Sequence, residues 1–192
     1  MEFAVRIHGR GGQGVVTAAE LLSVATFAQG RHAQAFPTFG SERTGAPVVS
    51  FCRISGDPIR AHEPIARPDA VIVGDPTLLH QVDVFGGLDP AGYALVNTGR
   101  RLPELGIEEL TGRVSHVATV PATEIARRHV GRPKPNAALL GGFAALTGAI
   151  PLDAVQQAIR ERFPGPVGEA NAAAAAEACG RVTRELSAAV DA

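Results

Sequence analysis

The sequence predicts an α/β domain of Rossmann-like design: a mainly parallel sheet with helices on both faces, one β-hairpin and a helical C-terminal third. Three observations predict it. The run FAVRI (3–7) leads into Gly9-Arg10-Gly11-Gly12-Gln13-Gly14 and then into a segment with helical apolar spacing. Short apolar runs recur at 69–75, 93–97 and 113–119, bounded by Pro or Gly, as buried parallel strands are. Beyond residue 121 the pattern becomes helical throughout.

The elements follow in order. In VVTAAELLSVATFA (15–28), Val15, Ala18, Ala19, Leu21, Leu22 and Ala25 mark one helical face, and Gly30 suits the residue just past a helix end. A short strand is expected through Ala33–Phe36, before Pro37, and then a polar glycine-containing loop. PVVSFCRI (47–54) reads as a strand, with Ser55-Gly56-Asp57-Pro58 turning into a hairpin partner, PIRA. DAVIVGD, YALVN and RVSHVAT supply further strands. PATEIARRHV, PNAALLGGFAALTG, PLDAVQQAIRERF and a final alanine-rich segment supply helices separated by Gly and Pro. With 192 residues, 45% hydrophobic and 19% charged, the chain has the composition of one globular domain over 1–192 with a sizeable core.

Charge and cysteine content exclude several classes. Lys+Arg 18 against Asp+Glu 19 leaves a net charge of -1, so no basic field calls for nucleic acid. Cys52 and Cys179 form no C-x-x-C pair, and two thiols cannot hold a four-cysteine cluster. The opening MEFAVRIHGRGG lacks the basic start and long apolar run of a secretory signal. No stretch nears the roughly 18 apolar residues of a membrane span. A cytoplasmic location with no membrane span is expected.

The glycine turn is the leading candidate site. Gly9, Gly11 and Gly14 satisfy G-x-G-x-x-G between a strand and a helix, and Arg10, Gly12 and Gln13 complete it. The first amides of the helix and its dipole favour an anion there, and Arg10 adds charge. A dinucleotide site also wants an acidic residue about 20 positions later; here stand His32, Gln34 and Phe36, with no carboxylate before Glu42. Three readings stay open: a phosphate-bearing ligand, close packing or a subunit contact with no ligand, and NAD(P) binding by an independent protein. The second candidate is the glycine-flanked loop bearing Ser41, Glu42, Arg43 and Thr44, where Arg43 can fork onto a phosphate or pair with Glu42. The six histidines show no metal-ligand spacing and no nucleophile motif is present. No catalytic residue and no metal ligand is assigned.

The run Arg6–Glu20 (RIHGRGGQGVVTAAE) resembles the start of the gamma subunit of pyruvate:ferredoxin oxidoreductase and related 2-oxoacid:acceptor oxidoreductases. The resemblance continues through Ala35-Phe36-Pro37, Gly40–Val48, Pro68–Val73, Asp75–Leu79, Asn97-Thr98, Asn136–Gly141 and the Asn171 region. It implies a subunit of a larger enzyme that decarboxylates a 2-oxoacid to an acyl-CoA, passing electrons to ferredoxin or a similar acceptor. Thiamine diphosphate, Mg²⁺ and [4Fe-4S] clusters would then sit in the partner subunits (thiamine-diphosphate-binding, alpha-type and ferredoxin-type chains). Coenzyme A is the co-substrate that this chain would touch, at Gly9–Gly14 and Ser41–Thr44. Ser41 and Thr44 stand where many relatives carry bulkier or basic residues. An aromatic 2-oxoacid (indolepyruvate, phenylglyoxylate) or a branched one therefore remains an alternative to pyruvate, and a purely architectural subunit is a further alternative.

Overall fold

The computed structural model describes residues 2–38, 44–61, 63–108 and 112–190. Its strands are β1 (Glu2–Arg10), β2 (His32–Pro37), β3 (Pro47–Ser55), β4 (Ala70–Val73), β5 (Tyr93–Asn97) and β6 (His116–Val120). Its described α-helices are α1 (Val15–Ala28), α2 (Ala122–Val130), α3 (Asn136–Thr147), α4 (Leu152–Arg162) and α5 (Pro166–Val190). One six-stranded sheet has the order β2-β3-β1-β4-β5-β6. β1, β4, β5 and β6 pair in parallel, and β3 runs antiparallel between β1 and β2. The α/β class and the mostly parallel sheet agree with the sequence expectation.

Alternation along the strands sorts two layers. Val5, Ile7, Ile72, Leu95 and Val120 face a core shared with buried residues of the five described α-helices. Val71, Val73 and Val96 face the opposite side and meet Leu78, Val84, Leu105 and Ile107. That side is covered, among the described residues, by 3₁₀ turns at Pro76–His80 and Leu102–Glu104 and by loops.

The hairpin also differs from expectation. PIRA (58–61) forms no strand, because β1 and β2 already occupy both edges of β3 and Pro58 has no amide to donate. The antiparallel element is built instead from β2 and β3. Consequently α1 connects β1 to a strand two places away, with β3 inserted between them.

The alanine run at 172–176 is a packing surface. Ala172, Ala174, Ala175 and Ala178 are buried, and α3 approaches so closely that a Cβ at Gly141 would stand 1.9 Å from the Ala175 carbonyl oxygen. The opposite end of α3 touches the glycine turn, where its first residue, Asn136, lies against Gly14. Two arginines are buried on the opposite face of the sheet. Arg6 donates to His8 Nε2 at 3.0 Å and to the carbonyls of Ile65, Val84 and Gly86. Arg53 donates to Glu2 and to the Glu63 carbonyl and stacks over Phe36. Among the described residues no helix is long and apolar enough to cross a membrane.

Candidate functional site

The carboxyl ends of β1, β4, β5 and β6 share one edge of the sheet, where open α/β sheets place ligands. Four short segments meet there: the glycine turn, Gly74–Thr77, Asn97-Thr98 and the start of α3. Three glycines of the turn each have their own cause. A Cβ at Gly9 would collide with Val15 Cγ2 at 2.5 Å, so Gly9 lets α1 fold back onto β1. Gly14 caps α1 with φ +80 and has Asn136 Nδ2 2.7 Å from where a Cβ would be. Gly12 has φ +91, is exposed, and has nothing within 4 Å of that position. Gly9 and Gly14 therefore serve packing within the chain, whereas Gly12 is the open apex of the turn.

The structure gives Arg10 a different task from that of a free cation. Its guanidinium donates to the Gly45 carbonyl at 3.1 Å, Thr77 Oγ1 at 2.7 Å and Gln81 Oε1 at 2.8 Å. It also lies 3.2 Å from Asp75 Oδ2. Gln13 completes the lattice, accepting from the Arg10 amide at 2.8 Å and donating to Asp75 at 2.8 Å. Arg10 thus straps the turn to the Pro76–His80 segment and leaves little capacity for an anion. Gly11 is likewise engaged: its amide donates to the Ala46 carbonyl and its carbonyl accepts from Gly45. Thr44 bridges Gly11 and is exposed. Thr44–Ala46 therefore lie beside the glycine turn, and Ser41, Glu42 and Arg43 lie outside the described residues.

Electrostatics fix the protonation of this edge. Burial alone raises the Asp75 carboxyl, but bonds from Thr77 and Gln13 and the charge of Arg10 outweigh it and hold it below its ordinary value. Replacing Asp75 with Asn should therefore cost about 1–2 kcal/mol by loosening two donors and the Arg10 strap. The contribution is present above about pH 4 and fades as pH falls through the depressed value; urea midpoints of both proteins at pH 7 and at pH 3 measure it. Behind the turn, burial and then the Arg6 charge lower the His8 imidazole to about 4, with Asp83 opposing weakly. His8 is thus a neutral acceptor for Arg6.

Asn97 joins the remaining strands. Its Nδ2 donates to the Gly74 carbonyl at 2.7 Å and to Thr123 Oγ1 at 2.8 Å, while its Oδ1 accepts the Thr123 amide. Asp75, Thr77, Asn97 and Asn136 were not among the site residues named from sequence. The available signal was the polar residue that ends an apolar run, as in AVIVGD and YALVN. Beneath the turn only about 10 Å³ is enclosed, among Ile7, Gln13, Gly14, Asn136 and neighbours. A larger cavity of about 810 Å³ lies on the opposite face, lined by Arg67, Phe85, Leu88, Glu108 and Arg113 among others, and touches none of the turn. The edge at the turn is therefore shallow, with little enclosed volume of its own.

Comparison with known proteins places this arrangement. The model of the pyruvate ferredoxin/flavodoxin oxidoreductase family matches residues 4–180. The "pyruvate/ketoisovalerate oxidoreductases common subunit gamma" of Thermococcus kodakarensis is 49% identical over 174 residues, covering 91% of this chain and 94% of the relative. The "pyruvate synthase subunit PorC" of Methanothermobacter marburgensis is 46% identical over 171 residues, covering 89% and 92%. The crystal structure of pyruvate oxidoreductase subunit PORC from Thermotoga maritima superposes with a TM-score of 0.81 at 36% identity, covering 93% of this chain and 96% of that one. The strapped glycine turn, the strand-end asparagine and the α3 start thus stand in a sequence that matches such subunits almost end to end, and the chain belongs to the pyruvate ferredoxin/flavodoxin oxidoreductase family.

Proposed function

We propose that this chain is the gamma subunit of a thiamine-diphosphate-dependent 2-oxoacid:acceptor oxidoreductase, acting as one domain over residues 1–192. The assembled enzyme decarboxylates a 2-oxoacid oxidatively to an acyl-CoA and CO₂ and passes the electrons to ferredoxin or a similar acceptor. Pyruvate is the first choice of substrate, since the relatives above carry pyruvate in their names. Thiamine diphosphate, Mg²⁺ and [4Fe-4S] clusters belong to the partner subunits, in the cytoplasm.

The observation that carries the site reading is the open apex at Gly12. Its backbone is free of neighbouring atoms at the Cβ position. It stands just before the turn enters α1, whose cap Gly14 supplies no side-chain bond to the first amides. Such amides suit a phosphate. Coenzyme A brings phosphates to this edge when bound; Gly12, with Arg43 and Ser41–Thr44 from the adjoining loop, orients it toward a neighbouring subunit. Arg10 serves as the strap that keeps the apex presented. An independent NAD(P) site is disfavoured, because His32, Gln34 and Phe36 stand where a dinucleotide site wants a carboxylate for the ribose, and none occurs before Glu42.

Purification of the native complex through this chain tests the assembly. The expected result is co-purifying subunits with iron, sulfide and thiamine diphosphate, seen by native mass spectrometry. A chain that comes out alone and binds NAD(P)H would overturn it.

A further inference from the structure

Three helices begin at the carboxyl edge of the sheet, and only one has its first amides met by a side chain. In α2 the Thr123 amide donates to Asn97 Oδ1 at 3.1 Å, and Glu124 stands in the same first turn. The caps of α1 and α3 are Gly14 and Pro135, which offer no side-chain bond, and neither first turn carries an acid. The first intrahelical bonds run from the Ala18 amide to Gly14 and from the Leu139 amide to Pro135. The amides of Val15, Val16 and Thr17, and those of Asn136, Ala137 and Ala138, are left without partners among the described residues. These two uncapped starts touch: Asn136 Nδ2, Cγ and Cβ stand 2.7, 3.1 and 3.3 Å from where a Cβ would lie on Gly14. Asn136 is only 6% exposed. Its side-chain amide makes no hydrogen bond with a described residue, and it lines the small hollow beneath the turn with Gln13 and Gly14.

We propose that the starts of α1 and α3 together form one binding site for a phosphate group, with Asn136 as its side-chain donor. Each helix start carries about half a positive charge, so two in contact present about one. Water can satisfy the amides but not that charge. Asp75, joined to the turn through Gln13, has its own charge met by Arg10. Arg132 and Lys134, both exposed in the segment that leads into α3, add attraction. Donors from two helices and one side chain converge from different directions, which suits a tetrahedral group better than a planar carboxylate. With little enclosed volume beneath the turn, the phosphate rests across the two starts rather than inside the fold. The inference rests on the coenzyme A reading for the carrier of the phosphate, and it extends that site from the turn to α3.

The test is nuclear magnetic resonance of the isotope-labelled full-length chain titrated with inorganic pyrophosphate, beside coenzyme A kinetics in the assembled enzyme. The amides of Asn136, Ala137 and Ala138, the Asn136 side-chain amide and the amides that open α1 are expected to shift together, with one affinity. Asn136→Asp sets a carboxylate between the two starts. It is expected to weaken pyrophosphate by about tenfold or more, the worth of a hydrogen bond to a charged group. Its urea midpoint should be unchanged or raised, because an acid suits a helix start; loss of a merely structural asparagine would lower it. In the complex the KM for coenzyme A should rise by a similar factor. Signals of α3 that stay still in the parent chain, or an unaltered pyrophosphate affinity in Asn136→Asp, would overturn the proposal. Weakened pyrophosphate with an unchanged KM for coenzyme A would uphold the phosphate site and remove coenzyme A as its occupant, which separates this inference from the reading it rests on.

Discussion

Gly141→Ala is expected to destabilise the chain by about 3 kcal/mol or more, at the upper end of what overpacking costs. The added Cβ would lie 1.9 Å from the Ala175 carbonyl oxygen, 2.5 Å from its carbon and 2.7 Å from its Cα. All three are backbone atoms in the interior of α5, so no side-chain rotation relieves the overlap and one helix must move. Phe143 and Leu140, fully buried on α3, move with it. The effect reaches the candidate site, because α3 begins at Asn136 and Asn136 lies against Gly14. Chemical denaturation should show the loss. Ala144→Gly, which removes rather than adds volume on the same helix, should cost only about 1 kcal/mol through helix propensity and lost packing. Equal midpoints for Gly141→Ala and the parent chain would show that the α3–α5 contact is looser than described.

Acidification should weaken the fold through His8. Its folded-state value of about 4 lies well below the ordinary 6.5, so the unfolded chain takes up the proton first. The sign follows: stability is complete above about pH 6.5, falls as pH drops toward 4, and levels off below that. At about 1.4 kcal/mol per unit, the full loss is about 3 kcal/mol. A protonated His8 could no longer accept from Arg6 Nε, and two cations would share one buried face. Unfolding of the parent chain and of His8→Gln, measured at pH 7 and pH 4.5, isolates this from the carboxylates common to both. The parent should lose more stability between the two conditions than His8→Gln. Equal losses would mean that His8 stays protonated or exposed in the folded state.

Much of the fold was legible because the signals are local. YALVN lies between Gly92 and Thr98, and β5 occupies those five residues; VVTAAELLSVATFA lies between Gly14 and Gly30, and α1 occupies those fourteen. The misread elements depend on distant partners. Nothing within PIRA shows that both edges of β3 are already taken. Nothing within 74–92 shows which face of the sheet that segment covers.

The candidate site divides in the same way. The glycine spacing announced a tight strand-to-helix turn, and the turn is there. The task of Arg10 was not legible, since Thr77 and Gln81 lie 67 and 71 residues away along the chain. An arginine in a glycine-rich turn reads as an anion ligand until its partners are seen. Asp75 and Asn97 fall in segments that carry the family resemblance, but their bonding partners were not legible, because a polar residue closing an apolar run looks like a simple strand end. Here such residues bind neighbouring strands and turns into one rigid edge.

If the open apex at Gly12 faces coenzyme A in the assembled oxidoreductase, the decisive quantity is the KM for coenzyme A in the whole complex carrying Gly12→Asp. A carboxylate there would repel phosphate and strain the positive φ. A rise of about tenfold or more, equivalent to about 1.4 kcal/mol, is predicted, with the KM for the 2-oxoacid unchanged. An intact complex with the same KM for coenzyme A as the parent enzyme would contradict that placement.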